Sequence, residues 1–251
     1  MTDTREMEAG GYAYVPGVFQ YSGGVRALPG FSVERVQFTR PVPLEEGFSR
    51  IEAHLSSIGR PLTAFCGCEL RSPGQFTEEG FRAFNETYVG TLERWGIYRD
   101  GVNPVARSNV CPEIGAPDTP SFHAFAYTVE GDAPGGTFQV AGSGEAPEGR
   151  GNYRDHIVRL GDLSPEAIAE KARWVLGEME RRMGLLGAGW ADVTATQLYT
   201  VHDIHHVMAP EIAARGAANH GLVWHWCRPP VVDLEYEMDC RRVMVERFLE
   251  P

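Results

Sequence analysis

Two stretches decide the reading: Val18-Phe19-Gln20-Tyr21-Ser22-Gly23 near the start and Thr137-Phe138-Gln139-Val140-Ala141-Gly142 past the middle. Both are β-type runs that end on glycine, and Phe19 and Phe138 stand 119 residues apart. Each is followed by a Gly-rich turn and a second β-type run, over 33–38 in one case and 156–160 in the other. A repeat of this kind bears on the whole fold.

Working outward, the order of elements repeats as well. Phe48, Ile51, Leu55 and Ile58 lie at helical spacing, and Gly59 stops that helix. Leu176, Met179, Met183 and Leu186 lie at the same spacing before Gly187, at an offset of 128 residues. Ser164-Pro165-Glu166 supplies a hydroxyl N-cap and a proline at the first helical position. Third strands are expected over 62–70 and 192–201. Second helices follow over 77–94 and 204–215, the latter bent or delayed by Pro210. Closing strands are expected over 106–110 and 121–129, then 222–227 and 231–238. The polar, Gly/Pro-containing segment 130–136 links the halves. The expectation is therefore α+β: two tandem modules, 1–130 and 136–251, each a mixed sheet with two helices packed on one face. About 120 residues per module suffice to bury a core.

Composition narrows the function. The 251 residues carry 23 Lys plus Arg against 34 Asp plus Glu, a net charge of −11, which argues against nucleic acid. A small anion needs only a local cluster of arginine. Hydrophobic residues at 43% and charged residues at 23% exclude disorder for most of the chain. No run reaches the ~18–20 apolar residues of a membrane span. The polar start, Met1 to Gly10, lacks the apolar centre of a secretory leader. The five cysteines are odd in number and unpatterned, as in a reducing cytoplasm.

Several motifs resemble the RidA/YjgF family, which has a chorismate-mutase-like fold and typically assembles as a trimer. They are Gln20-Tyr21-Ser22-Gly23, Pro104-Val105-Ala106-Arg107-Ser108 with one inserted residue, and the alternating Leu234-Glu235-Tyr236-Glu237. More narrowly, the chain resembles the tandem-module 2-aminomuconate and 2-amino-5-chloromuconate deaminases. Phe65-Cys66-Gly67-Cys68-Glu69-Leu70-Arg71-Ser72, 103–113, Gly142-Ser143-Gly144-Glu145 and 225–232 carry that match. The resemblance implies hydrolysis of an enamine or imine with no metal or organic cofactor. It also implies a small dicarboxylate as substrate and a homo-oligomer, a trimer by preference.

Site residues follow from the same motifs. Arg107 stands where the family's arginine holds a carboxylate, a task suited to a permanently charged guanidinium with two parallel donors. Glu235 stands where the family's glutamate handles water, and Glu237 shares its strand face. The matching place in the first half is His123, and the second half lacks the arginine. Arg107 therefore works either with His123 or across an interface with Glu235. Ser22, Ser108 and Cys111 accompany these in the motifs. Arg71 and Arg228 could take a second carboxylate, or be solvated charges. His202, His205 and His206 suggest a metal, but match no zinc spacing, and Asp203 is a natural helix cap. The readings carried forward are a hydrolytic deaminase of an enamine dicarboxylate, a generic 2-iminoacid deaminase, a non-catalytic small-acid-binding module, and a chorismatase-like hydrolase.

Overall fold

The computed structural model describes residues 4–150 and 152–251. Met1, Thr2 and Asp3 of the acidic N-terminal stretch lie outside the described residues. In chain order the main elements are β1 (Arg5–Met7), β2 (Tyr12–Val15), β3 (Gly24–Ala27), β4 (Phe31–Pro43), α1 (Leu44–Ser57), β5 (Phe65–Arg71), α2 (Glu78–Arg94), β6 (Ala106–Pro112) and β7 (Ser121–Glu130). Then come β8 (Phe138–Gly144), α3 (Pro165–Leu185), β9 (Ala195–Tyr199), α4 (His205–Val207), β10 (Val223–His225), β11 (Cys227–Arg228), β12 (Glu237–Arg242) and β13 (Glu246–Leu249).

The α+β class holds, with two mixed sheets. One runs β1-β2-β3-β8-β12-β9-β10 and the other β11-β6-β5-β7-β4-β13. The same local topology recurs in both: β5 lies parallel to β6 and antiparallel to β7, and β9 lies parallel to β10 and antiparallel to β12. The halves also exchange strands. β1 to β3 join the sheet built on β8, while β11 and β13 return from the far end of the chain to pair with β6 and β4.

The helices form where the periodicity places them. α2 starts at Thr77, whose side chain accepts a hydrogen bond from the Gly80 amide, and it buries Phe81, Tyr88, Val89 and Leu92. α3 starts at Ser164 with Pro165 behind it and buries Val175, Leu176, Met179 and Met183. Ile51 and Leu55 of α1 pack with Phe125 under the second sheet, and Leu198 and Met238 pack with α3 under the first. Burying one such side chain is worth about 1.5–3 kcal/mol, and each sheet has its own apolar layer.

Four expectations are corrected. The closing strand expected over 231–238 begins only at Glu237 and runs on to Arg242 as β12. Residues 18–23 make only isolated bridges, Val18 to Tyr21 and Ser22 to Ala106, and the strand begins at Gly24. Residues 156–160 form turns. The His156 amide donates to the Tyr153 carbonyl at 2.9 Å and the Val158 amide to the Glu145 carbonyl at 3.0 Å, while Arg159 takes a left-handed φ of 49°. The helix expected over 204–215 shrinks to α4 and a wide turn, Met208–Ala213, since Pro210 has no amide to donate. The second half therefore has one long helix where two were expected.

Between the sheets lies a polar layer. Arg35 pairs with Glu69 at 2.6 and 2.9 Å. Asp239 accepts from Ser108, from Gln197 at 2.9 Å and from the Tyr199 hydroxyl at 2.8 Å. Such burial is tolerated because the groups satisfy one another.

Candidate active site

Strand β6 is flanked in two places along its outer edge. At one end Ser22 bridges Ala106, its amide donating to the Val105 carbonyl at 2.9 Å and its hydroxyl to the Pro104 carbonyl at 3.0 Å. At the other end β11 pairs with Cys111 and Pro112. Between these partners a pocket with about 430 Å³ of space, part of it open to solvent, is lined by Tyr21, Arg107, Asn109, Ser143, Glu148 and Glu237, among others.

Arg107 is only 2% exposed, yet Nε, Nη1 and Nη2 have no hydrogen-bond partner among the described residues. Aromatic rings hold it instead. Its Cζ lies 4.8 Å from the Tyr88 ring centroid, 5.2 Å from Tyr21, and 5.7 Å from both Phe81 and Phe84. Cation–π attraction offsets part of the desolvation, but the N–H groups remain unsatisfied, which is costly in a buried place. A carboxylate entering the pocket would satisfy them.

Glu237 comes from the other sheet and is also buried, its carboxyl making no hydrogen bond among the described residues. Burial, then the charge of Asp239, pushes this carboxyl well above the ordinary range against the opposing pull of Arg182 and Arg107. It is therefore held protonated, and so able to give a proton. Gly142 makes room for it. A Cβ there would lie 2.2 Å from Glu237 Oε1.

Glu148 is positioned by Arg182 of α3, whose Nη2 donates to Glu148 at 2.7 Å while Nη1 donates to the Ala141 and Gly142 carbonyls at 3.0 and 3.2 Å. Burial and the nearby Glu148 charge push up the Tyr21 hydroxyl, and push Tyr153 up to about 12. Both phenols stay protonated as donors.

Of the residues named from sequence, Arg107 and Glu237, the second of the two alternating glutamates, line the pocket; Ser22 braces its rim. Ser108 points into the layer between the sheets, to Asp239. Glu235 lies outside, its Oε2 within 2.7 Å of His202 Nε2 and 3.1 Å of Arg228 Nη1. Arg228 also reaches Glu113 at 2.9 Å. Arg71 and His123 lie between the sheets. Cys111 is buried, and burial pushes its thiol up to about 12, so no reactive thiolate stands there. The histidines do not converge: His205 pairs with Asp203 at 2.6 Å and His206 with the Pro165 carbonyl at 2.7 Å. No group of three or more His, Cys, Asp or Glu among the described residues is placed to hold a metal. Glu148 and Tyr153 gave no signal in sequence, since both sit in an irregular loop. Ser143 was visible only within the Gly142-Ser143-Gly144-Glu145 match.

This arrangement of sheets has counterparts among solved structures. A solved chorismatase overlaps 87% of this chain and 77% of its own at a TM-score of 0.50 and 14% identity, a likeness of fold alone. A YjgF/YER057c/UK114-family protein of Mycobacterium tuberculosis matches 47% of this chain and 83% of its own, at 20% identity and a TM-score of 0.30. The sequence profile of the 2-aminomuconate deaminase CnbZ matches residues 4–247. The 2-amino-5-chloromuconate deaminase of Comamonas testosteroni is 55% identical over 251 residues, 99% of this chain and 100% of that one. The chain belongs to the 2-aminomuconate deaminase family.

Proposed function

We propose that this chain is a hydrolytic deaminase of a 2-aminomuconate-type enamine dicarboxylate, with Arg107 and Glu237 as its working pair. The observation that carries this is a buried guanidinium with no hydrogen-bond partner among the described residues, in one pocket with a carboxyl held protonated, in a chain of a deaminase family. The carboxylate beside the amino carbon binds Arg107 through paired N–H donors. Glu237 donates its proton to a carbon of the conjugated enamine, giving the iminium. Water then adds to the iminium carbon, and the Glu237 carboxylate takes up the proton that water releases. Glu237 passes that proton to the amino nitrogen, the C–N bond of the carbinolamine breaks as its hydroxyl proton returns to Glu237, and ammonia leaves, so one water is consumed per 2-oxo acid formed. A group that serves first as acid and then as base contributes about 10²–10⁴ in rate. Tyr21, Tyr153, Asn109 and Ser143 supply further donors for the far carboxylate.

Ammonia release coupled to loss of the enamine absorbance of 2-aminomuconate tests this reading directly. Turnover of short 2-imino acids with no preference for the dicarboxylate would favour the generic alternative. Substrate binding without ammonia release would favour the binding-module alternative.

Gly142→Ala should lower kcat by about 10²-fold with KM little changed, because the new methyl displaces Glu237 Oε1, and misplacement by about 1 Å carries that penalty. A wild-type kcat in a folded Gly142→Ala protein would count against Glu237. The reading includes a cytoplasmic setting, supported by five buried free cysteines. It also includes a homo-oligomer, a trimer by preference, supported by the exposed Val223 on the edge strand β10 and the exposed Trp226 that follows it.

A further inference from the structure

The layer between the sheets contains a second unpaired cation. Arg71 is 4% exposed. Its Nη1 donates to its own neighbour's carbonyl, Leu70, at 3.0 Å, while Nη2 is shielded from solvent without a hydrogen-bond partner among the described residues. Glu69, the carboxylate two positions before it on the same strand face, is already taken by both donors of Arg35. Arg71 instead lies over the Tyr199 ring, 5.5 Å from its centroid. His225 stacks on that same ring at 5.0 Å, and His123 meets His225 edge-on at 6.3 Å. Both imidazoles are part-exposed, which puts the cluster within reach of solvent.

The hydrogen bonds define what is free. Gln197 Nε2 donates to Asp239, so Gln197 Oε1 accepts from His225 Nε2 at 3.1 Å. That leaves His225 Nδ1 as a bare acceptor, and the His123 ring makes no hydrogen bond among the described residues. Burial, then the Arg71 charge, lowers His123 to about 3 and His225 to about 4. Glu69 pulls both the other way, while Arg35 adds to the push on both and Arg241 to that on His225. The cluster thus carries net positive charge with unused donors and no free anion.

We propose that Arg71, His123 and His225 form a second binding site, for a small carboxylate, on the opposite face of the β5–β6 sheet from the Arg107 side chain. Cys68, which pairs with Arg107, points to the helix side and bonds Tyr88, whereas Glu69 and Arg71 point toward the other sheet. A ligand at Arg71 therefore reaches neither Arg107 nor its aromatic cage. The site stands apart from the deaminase reading and survives if that reading fails.

Sodium acetate is the probe, with chloride at equal ionic strength as control, and the imidazole NMR signals of the full chain are the readout. Acetate should shift the His123 and His225 signals saturably and raise both titration midpoints, because a bound anion offsets Arg71. Chloride should not do so. Arg71→Gln should weaken the response by about tenfold or more, as expected for losing a charge-assisted contact, and Arg107→Ala should leave it unchanged. Should Arg71→Gln not fold, His123→Gln removes a ring without protein hydrogen bonds and should weaken the His225 response severalfold. The site is excluded if acetate moves neither ring, or if the response is undiminished in whichever of these variants folds.

Discussion

Arg107→Ala is expected to lower kcat/KM for ammonia release by about 10²–10⁴-fold while leaving the thermal midpoint at or above that of the wild type. The first half follows from chemistry. Two hydrogen bonds to a charged group are worth about 1.5–3 kcal/mol each, and every 1.4 kcal/mol is tenfold. The second half follows from geometry. A structural arginine bonds its surroundings, and its removal leaves partners stranded. Arg107 strands none, because none of its three nitrogens has a hydrogen-bond partner among the described residues. What it forfeits is attraction to four rings, and what it gains is release from burying unsatisfied N–H groups. Arg107→Lys keeps the charge but loses the planar fork, and should fall between wild type and alanine. Steady-state kinetics and a thermal melt on the same preparations decide the matter. Activity and midpoint falling together would assign Arg107 to the fold.

Much of this was readable in the residues. The spacing of Phe48, Ile51 and Leu55, and of Leu176, Met179 and Met183, gave helices that bury those side chains. The signal at Ser164 gave a working cap. These features depend on neighbours within a turn or two of chain. The exchange of β1 to β3, β11 and β13 between sheets was not readable, since strand pairing over such separations leaves no local trace. The same limit governs the site. Arg107 stood out because its motif is continuous, whereas its facing acid is set by the register of β12. That strand starts at Glu237, paired with Gly144 and Tyr199, so Glu235 falls before it and turns to His202 and Arg228. Two glutamates at alternate positions look equivalent in sequence. Where the strand begins separates them.

Two buried arginines without full pairing also divide the β5–β6 sheet by face. Arg107 sits in an aromatic cage on the helix side and faces a protonated acid, which suits it to an anion that reacts. Arg71 sits beside two neutral imidazoles on the other side, which suits it to an anion that only binds. The sequence offered both as carboxylate clamps for one substrate. A β-strand's alternation forbids that when the two side chains leave opposite faces.

Glu237→Gln should lower kcat by about 10²–10⁴-fold, since the amide keeps the shape and cannot deliver a proton. Its pH behaviour separates this from a packing defect. In the wild type the protonated carboxyl is the active form, so kcat should fall as pH rises through its raised pKa. That limb should be absent from the residual activity of the variant. Stability should move in a linked way. A group whose folded pKa is raised above its unfolded value stabilises fully below the unfolded value, and that contribution is lost as pH rises through the folded one. Burial and Asp239 raise Glu237, so the wild type should lose stability with rising pH relative to Glu237→Gln, which carries no charge to desolvate. Chemical denaturation of both proteins across this range measures the difference. Parallel stability curves, or a high-pH limb surviving in the variant, would move the acid's role from Glu237 to another side chain of the pocket.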